Sequence, residues 1–415
     1  MVRKALLVLT LVIVGVMLMG MTPEEYVKQH RNEVSWRIMR EETLEDGMRL
    51  VFIELKSQVW RNIEWEHTLV VAFPPNMVRK DVAVLLAGGD DAEEEVLENL
   101  WLPKVFKLPF CALSSVPNQP LFGGYREDAL IAYTFEKTFE TLEEDWPLLL
   151  PMVQSVVAAM DAVQEYTGSL GAEIDKFVIT GASKRGWTTW LTGAVDSRVV
   201  AIIPMVYDNL NLPRQMKHQL DFWGRYSEKI SDYTERGLPD KISTPIGKKL
   251  VKIVDPYYYL EEIKVPKLII IATNDRYWPI DAINFYFDDV LPPKYILYLP
   301  NERHSFKNHG LVATAAAAFV HAVLDDRLPR FEWKWEGNLL EFTLDVEPEE
   351  VNLWFARSNV KDFRNALFIR RKLPPTTRKV RVPTVHGKYT VAFIEVIIQS
   401  DNMKLRMCTN AKVFE

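Results

Sequence analysis

The chain has 415 residues, 48% of them hydrophobic and 11% aromatic, enough to bury a large core and long enough for two domains. A formal net charge of −6 and the absence of any basic run leave no electrostatic footprint for nucleic acid. The seven histidines show no CxxC, HExxH or paired-histidine spacing, so neither a metal nor another cofactor is expected. Cys111 and Cys408 are too few for a disulfide framework; set in distant apolar stretches, they read as two buried thiols.

Arg3 and Lys4 precede an apolar run from Ala5 to Met19, and acidic Glu24 and Glu25 follow Thr22-Pro23. A run of roughly 15 residues is short for a membrane span and suits the core of a secretory signal, so residues 1–21 read as a targeting segment. Gly20 is the best residue for cleavage but Leu18 is a poor companion for it, which keeps an uncleaved N-terminal anchor as the second reading. Basic residues before the run and acidic ones after it put the body outside the cytoplasm in either case, periplasmic or extracellular. That anchor is the single membrane contact expected.

Thr22 to about Glu45 is polar and reads as helical. Arg49–Leu55 and Trp65–Phe73 read as antiparallel strands, and Asp81–Ala87 as a strand covered on both faces, as in a parallel sheet flanked by helices. Gly88-Gly89-Asp90-Asp91 ends that strand, where backbone N–H groups of Gly89 or Asp90 could turn toward a ligand. Ala92–Leu100 reads as a helix, Phe110–Val116 as a buried strand, and Glu127–Phe139 and Pro151–Tyr166 as helices. Ser114 and Ser115 lack a following glycine turn and read as strand residues.

Phe177–Trp190 (FVITGASKRGWTTW) is a strand, a sharp turn and a helix with Ser183 at the apex. Such a turn lifts the hydroxyl clear of the sheet beside the unpaired N–H groups of a helix start. The usual nucleophile pattern is G-x-S-x-G; here Gly181 stands two before the serine, Arg185 two after, and the second glycine slips to Gly186. Lys184 and Arg185 oppose the helix dipole, so something should offset them: a nearby acidic side chain or solvent, or else an anionic substrate group or a role for the cation in supplementing the oxyanion hole. Val199–Val206 is the next buried strand, ending at Tyr207-Asp208-Asn209. The aromatic-rich stretch Leu212–Gly237 then reads as a helical insertion able to cap a site, with Trp223, Tyr226 and His218 as pocket or packing residues.

Lys267–Ala272 and Tyr295–Leu299 complete the strands, ending in Thr273-Asn274-Asp275-Arg276 and Pro300-Asn301-Glu302-Arg303-His304. Serine, aspartate and histidine thus follow strand ends in the chain order of α/β-hydrolases. Ser183 is the expected nucleophile, His304 its base and Asp275 the orienting acid, with Asp281 and His309 in reserve. Lys184 N–H and an N–H of Gly89 or Asp90 are the expected oxyanion donors. Arg185, Tyr207, Asn209, Trp223 and Trp278 are the expected substrate contacts. From Leu328 the pattern changes to period-two strands, which predicts a half-buried antiparallel β-domain of immunoglobulin or fibronectin type.

The stretches QVWRNIEWEHTLVV, VPNQPL with REDALIAYTF, WPLLLPMVQSVVAAMDAVQE, FVITGASKRGWTTWLTGAVDSRV, TNDRYWPIDA, LPNERH and VNLWFARSNVKDFR resemble the PhoPQ-activated pathogenicity-related proteins. The resemblance runs from about Trp60 to the C-terminus. It implies an exported α/β-hydrolase-like protein with a C-terminal β-domain, and carries the nucleophile, acid and base onto Ser183, Asp275 and His304. The turn G-A-S-K-R-G is also similar to the G-x-S-R-x-G elbow of glucuronoyl and acetyl-xylan esterases, with Lys184 in place of arginine.

The expected architecture is an α/β-hydrolase fold, a mostly parallel sheet flanked by helices, over residues 22–329, with a cap insertion at about 208–262. A β-sandwich-like domain over 330–415 completes it. The expected activity is acyl transfer on a small-molecule, sugar-ester or peptide substrate; the competing class is a binding or signalling protein on the same scaffold. Oligomeric state does not follow from the sequence.

Overall fold

A computed structural model of the protein describes residues 20–90, 94, 97–400 and 402–415. The expected targeting run, residues 1–19, lies outside the described residues, as does part of the helix expected over Ala92–Leu100. Among the described residues no helix is long and apolar enough to cross a membrane.

The body opens on helix α1 (Pro23–His30), started by a capping box in which Thr22 Oγ accepts from the Glu25 N–H while the Glu25 carboxylate accepts from the Thr22 N–H. A 3-10 turn over Arg31–Glu33 follows, and the helical reading to Glu45 does not hold past it. Ser35–Thr43 is strand β1, paired antiparallel to β2 (Arg49–Trp60) with Trp36 opposite Leu55. It is the edge of the sheet and almost wholly exposed, so it carries Arg37, Arg40, Glu41 and Glu42 without apolar alternation. Charge is what keeps such an edge from recruiting another strand, and it also erases the period-two signal.

β2 pairs antiparallel with β3 (Ile63–Phe73), and β3 with β5 (Phe110–Leu113). From β5 onward the sheet is parallel through β4 (Val82–Ala87), β6 (Lys176–Ala182), β7 (Val199–Met205), β8 (Lys267–Ala272) and β9 (Lys294–Leu299). Alternate residues of β4 enter two cores. Val82 and Val84 join Val178, Ile203 and Leu268 on one face, while Ala83 and Leu85 join Phe177 and Ile179 on the other. Helices α2 (Trp101–Phe106) and α8 (His309–Leu324) cover the first face. Helices α3 (Glu127–Thr141), α4 (Leu149–Ser169) and α5 (Lys184–Val195) cover the second. Both cysteines are buried and free.

The spatial order β3-β5-β4-β6-β7 means that the chain leaves β4 on one side and returns as β6 on the other. The carboxyl ends of β4 and β6 therefore flank a topological switch point, where open α/β sheets bind their ligands. Between β7 and β8 the chain rises into an insertion that includes α6 (Leu212–Trp223) and α7 (Pro245–Val254).

The C-terminal β region has two stacked layers. One is a three-stranded sheet of β10 (Phe331–Glu336), β11 (Leu339–Leu344) and β14 (Lys379–Arg381), whose Leu340, Phe342 and Val380 pack on Val351, Leu353 and Ile394. The other comprises β12 (Glu350–Ser358), β13 (Ile369–Leu373), β15 (Tyr389–Ser400), β16 (Met403–Cys408) and β17 (Lys412–Phe414). This second layer is continuous with the central sheet, because Cys408 of β16 pairs antiparallel with Ile296 of β9.

The loop joining β12 to β13 reaches back to the rim of the central sheet. Asn274 Nδ2 donates to the carbonyls of Ala366 at 2.8 Å and Phe363 at 3.2 Å; Asn301 Nδ2 donates to the Phe368 carbonyl at 3.0 Å while its Oδ1 accepts from the Phe368 N–H at 2.7 Å. Two asparagines thus fasten the loops after β8 and β9 to the C-terminal region. Asn274→Ala, which strands buried carbonyls, is expected to cost about 1–3 kcal/mol in urea unfolding.

Candidate active site

The turn from β6 to α5 places Ser183 at φ 59° and ψ −124°, a conformation that non-glycine residues rarely adopt. Its N–H donates to the Met205 carbonyl at 2.8 Å and its carbonyl accepts from the Trp187 N–H at 3.0 Å, which holds the turn against that strain. Close approach explains the glycines around it. A Cβ on Gly181 would lie 2.7–2.9 Å from Arg185 Cβ and backbone, and one on Gly186 would lie 2.8 Å from the Met205 carbonyl oxygen. The second glycine is needed where α5 passes β7, three residues after the serine, which is why the five-residue motif is broken without loss of the turn. Gly186→Ala is expected to destabilise by about 1–3 kcal/mol, read as a lower midpoint in urea.

Ser183, His304 and Asp275 meet above the carboxyl ends of β6, β9 and β8. Ser183 Oγ lies 2.9 Å from His304 Nε2, and His304 Nδ1 lies 2.7 Å from Asp275 Oδ2. With the carboxylate ionised, Nδ1–H donates to it and Nε2 accepts from the serine O–H. The other Asp275 oxygen accepts from the Tyr277 N–H at 2.8 Å, and the Tyr277 ring packs on the imidazole at a centroid distance of 4.2 Å. Asp208, buried behind this group, has its carboxyl pushed well above the ordinary carboxylate range by burial and by the nearby Asp275 and Asp281.

The two cations after the serine are offset from within the chain. Lys184 Nζ lies 2.6 Å from Glu127 Oε2 and 3.6 Å from Asp128 Oδ2, and Arg185 makes two parallel bonds to the Glu127 carboxylate at 2.7 and 2.8 Å. Burial opposes the charge on Glu127, but Arg185 and Lys184 outweigh it and hold the carboxyl at about 2, below its ordinary 4.5. Because the folded value is the lower one, the stabilisation is complete above pH 4.5 and fades as the pH falls through about 2. Glu127→Gln is expected to cost about 1–3 kcal/mol at pH 7, less than a fully buried pair because the Glu127 side chain is 40% exposed, with the deficit shrinking in acid.

The other expected residues divide. Gly89 and Asp90 border the site at the end of β4; the Gly89 carbonyl accepts from the Ser115 N–H, and the Asp90 carboxylate from Gln119 and Arg126, each at 2.7 Å. Tyr207, Asn209 and Trp278 line a cavity beside Ser183, with Tyr207 stacked on Trp187 at 5.0 Å. Trp223 lines neither this cavity nor the wider one described below. Its ring lies under the Arg364 guanidinium at 4.1 Å, so it joins the insertion to the C-terminal region instead. Arg185 is occupied by Glu127. Asp281, which follows β8, pairs with His218 Nε2 of the insertion at 2.8 Å, and His309 starts α8 and lines the wider cavity. The reading from sequence missed Glu127, Asp128 and Tyr277; Glu127-Asp128 at a helix start was the available sign of a partner for Lys184 and Arg185. Among the described residues no group of three or more His, Cys, Asp or Glu could hold a metal ion.

Two cavities meet at Ser183 and His304. One, of about 90 Å³, runs under the insertion and is lined mostly by apolar side chains, with Lys184, Asp128, Tyr207 and Asn209 among them; the other, of about 990 Å³, is an open groove along Gly88, Gly89, Asp90 and the first turns of α8.

A switch-point cleft on a mixed, helix-flanked sheet whose central strands are parallel, with an elbow serine at its rim, defines an α/β-hydrolase fold. The chain belongs to the PhoPQ-activated pathogenicity-related protein family, whose model matches residues 24–364. It is 31% identical over 346 residues to autocrine proliferation repressor protein A of Dictyostelium discoideum, covering 75% of this chain and 70% of that protein. Among solved structures it is similar to an acetyl xylan esterase from a Paenibacillus species, at 13% identity and a TM-score of 0.49, covering 72% of this chain and 92% of that one. A second acetyl xylan esterase, from a Thermoanaerobacterium species, is similar at 12% identity and a TM-score of 0.48, covering 74% and 95%.

Proposed function

We propose that the chain is an exported serine esterase acting through Ser183, His304 and Asp275. The observation that carries this reading is the continuous hydrogen-bonded line from Ser183 Oγ through His304 to Asp275, at 2.9 and 2.7 Å, with the serine on a strained elbow. A serine hydroxyl is a weak nucleophile until a base takes its proton. His304 Nε2 takes it as Oγ attacks the ester carbonyl, and Asp275 stabilises the imidazolium through Nδ1–H. The oxyanion rests on the Lys184 N–H and on an N–H from Gly89 or Asp90; one such donor is worth about 2.7–4 kcal/mol of barrier. His304 then protonates the departing alcohol, and a water activated by the same imidazole releases the acid and restores Ser183. Tyr207, Asn209 and Trp278 shape the pocket around the substrate.

Export is supported by Arg3, Lys4 and the apolar run that follows, and is checked by the N-terminal sequence of the protein recovered outside the cytoplasm. The name of the Dictyostelium relative favours a second reading, a signalling protein without turnover. A panel of p-nitrophenyl acyl esters and aminoacyl p-nitroanilides separates the readings. Ester turnover absent from Ser183→Ala supports the esterase, anilide preference makes the protein a peptidase, and inertness of folded protein toward both supports signalling.

A further inference from the structure

We propose that the cavity under the insertion is an acyl pocket selecting esters of short apolar acids, with a polar alcohol seated in the open groove on the other side of Ser183. The proposal rests on the esterase reading and names its substrate class.

Ser183 and His304 border both cavities, so a tetrahedral carbon on Oγ sends one substituent into each. The acyl part stays bound through the first half-reaction, while the alcohol must leave and water must enter. The wide groove serves that traffic, and the narrow cavity is left to the acyl chain. Its walls come largely from the insertion, through Leu212, Met216, Ile230, Leu238, Leu250 and Val254, with Trp187 and Trp278 from the body. Its two charged residues, Lys184 and Asp128, are already engaged: Lys184 with Glu127, and Asp128 with the hydroxyls of Tyr233 at 3.1 Å and Tyr277 at 3.3 Å. No charge is left to greet an acyl group bearing a carboxylate or an amine, and burying one unpaired is costly. The groove, by contrast, is lined by Glu98, Asn99 and His309, and by Asp90 whose carboxylate Gln119 and Arg126 hold in place, polar groups suited to an uncharged polyol.

Size sets chain length. A cavity of about 150 Å³ takes the six carbons of benzene, so one of about 90 Å³ takes about four. Each methylene buried up to that limit should raise kcat/KM about four-fold.

The test is a p-nitrophenyl ester series from acetate to decanoate on the full chain. Rates of Ser183 labelling by an ethyl fluorophosphonate are measured in parallel. The expected result is a maximum at butanoate or pentanoate, a fall of more than about ten-fold by octanoate, and opposite shifts in two variants: Met216→Phe toward acetate and Leu250→Ala toward longer chains. A labelled serine with a flat profile, or with an optimum at octanoate or beyond, overturns the acyl pocket and leaves the esterase standing. A folded protein that neither labels nor turns over any ester overturns both.

Discussion

Replacing Ser183 by alanine is expected to lower kcat for p-nitrophenyl butanoate by about 10⁴–10⁶-fold while leaving the folded state in place. Loss on that scale follows from the proposed mechanism, in which the hydroxyl at 2.9 Å from His304 Nε2 forms the acyl bond. Ser114 is the nearest candidate by sequence pattern, but its Oγ accepts from the Thr68 N–H at the end of β5. The same position reports strain. Ser183→Gly, which relieves a φ of 59°, is expected to be equally inactive and about 1 kcal/mol more stable in urea unfolding.

The second large effect is at Asp275. Asp275→Asn keeps the shape of the side chain but removes the acceptor that holds the proton on His304 Nδ1, so Nε2 becomes the protonated nitrogen and can no longer receive the serine proton. A drop in kcat of about 10⁴-fold with KM little changed is expected from steady-state kinetics. Asp281→Asn is the control. Its carboxylate pairs with His218 rather than His304, so its kcat should stay near that of the unaltered protein.

Much of this site is legible in the sequence because each of its parts follows a strand that is apolar on both faces. Phe177–Thr180, Lys267–Ala272 and Tyr295–Leu299 declare themselves as buried strands, and the residue that matters stands within a few positions of each end. The elbow was readable despite the displaced glycine, since what the turn requires is room where α5 crosses β7, and Gly186 supplies it. Other features depend on contacts that no local pattern encodes. β1 was hidden because an exposed edge strand carries charge on both faces. The pairing of Cys408 with Ile296, which joins the C-terminal layer to the central sheet, links segments over a hundred residues apart. Trp223 has the spacing of a pocket residue on an amphipathic helix, yet Arg364, from the β12–β13 loop, decides which way it faces. The counter-charge to Lys184 and Arg185 likewise comes from α3, more than fifty residues upstream.

The clasp from the C-terminal region gives that part of the chain a structural task. Asn274 adjoins Asp275 and Asn301 lies three residues before His304, so the loops that bear the acid and the base are both tied to the segment between β12 and β13. A cut in that segment should therefore loosen the imidazole before it unfolds the sheet.

The most direct measurement is the mass of the protein after reaction with a fluorophosphonate, mapped to a peptide. An activated serine predicts one adduct, on Ser183, absent from Ser183→Ala and formed far more slowly in His304→Ala. An unlabelled but folded protein, or an adduct at another residue, would contradict it.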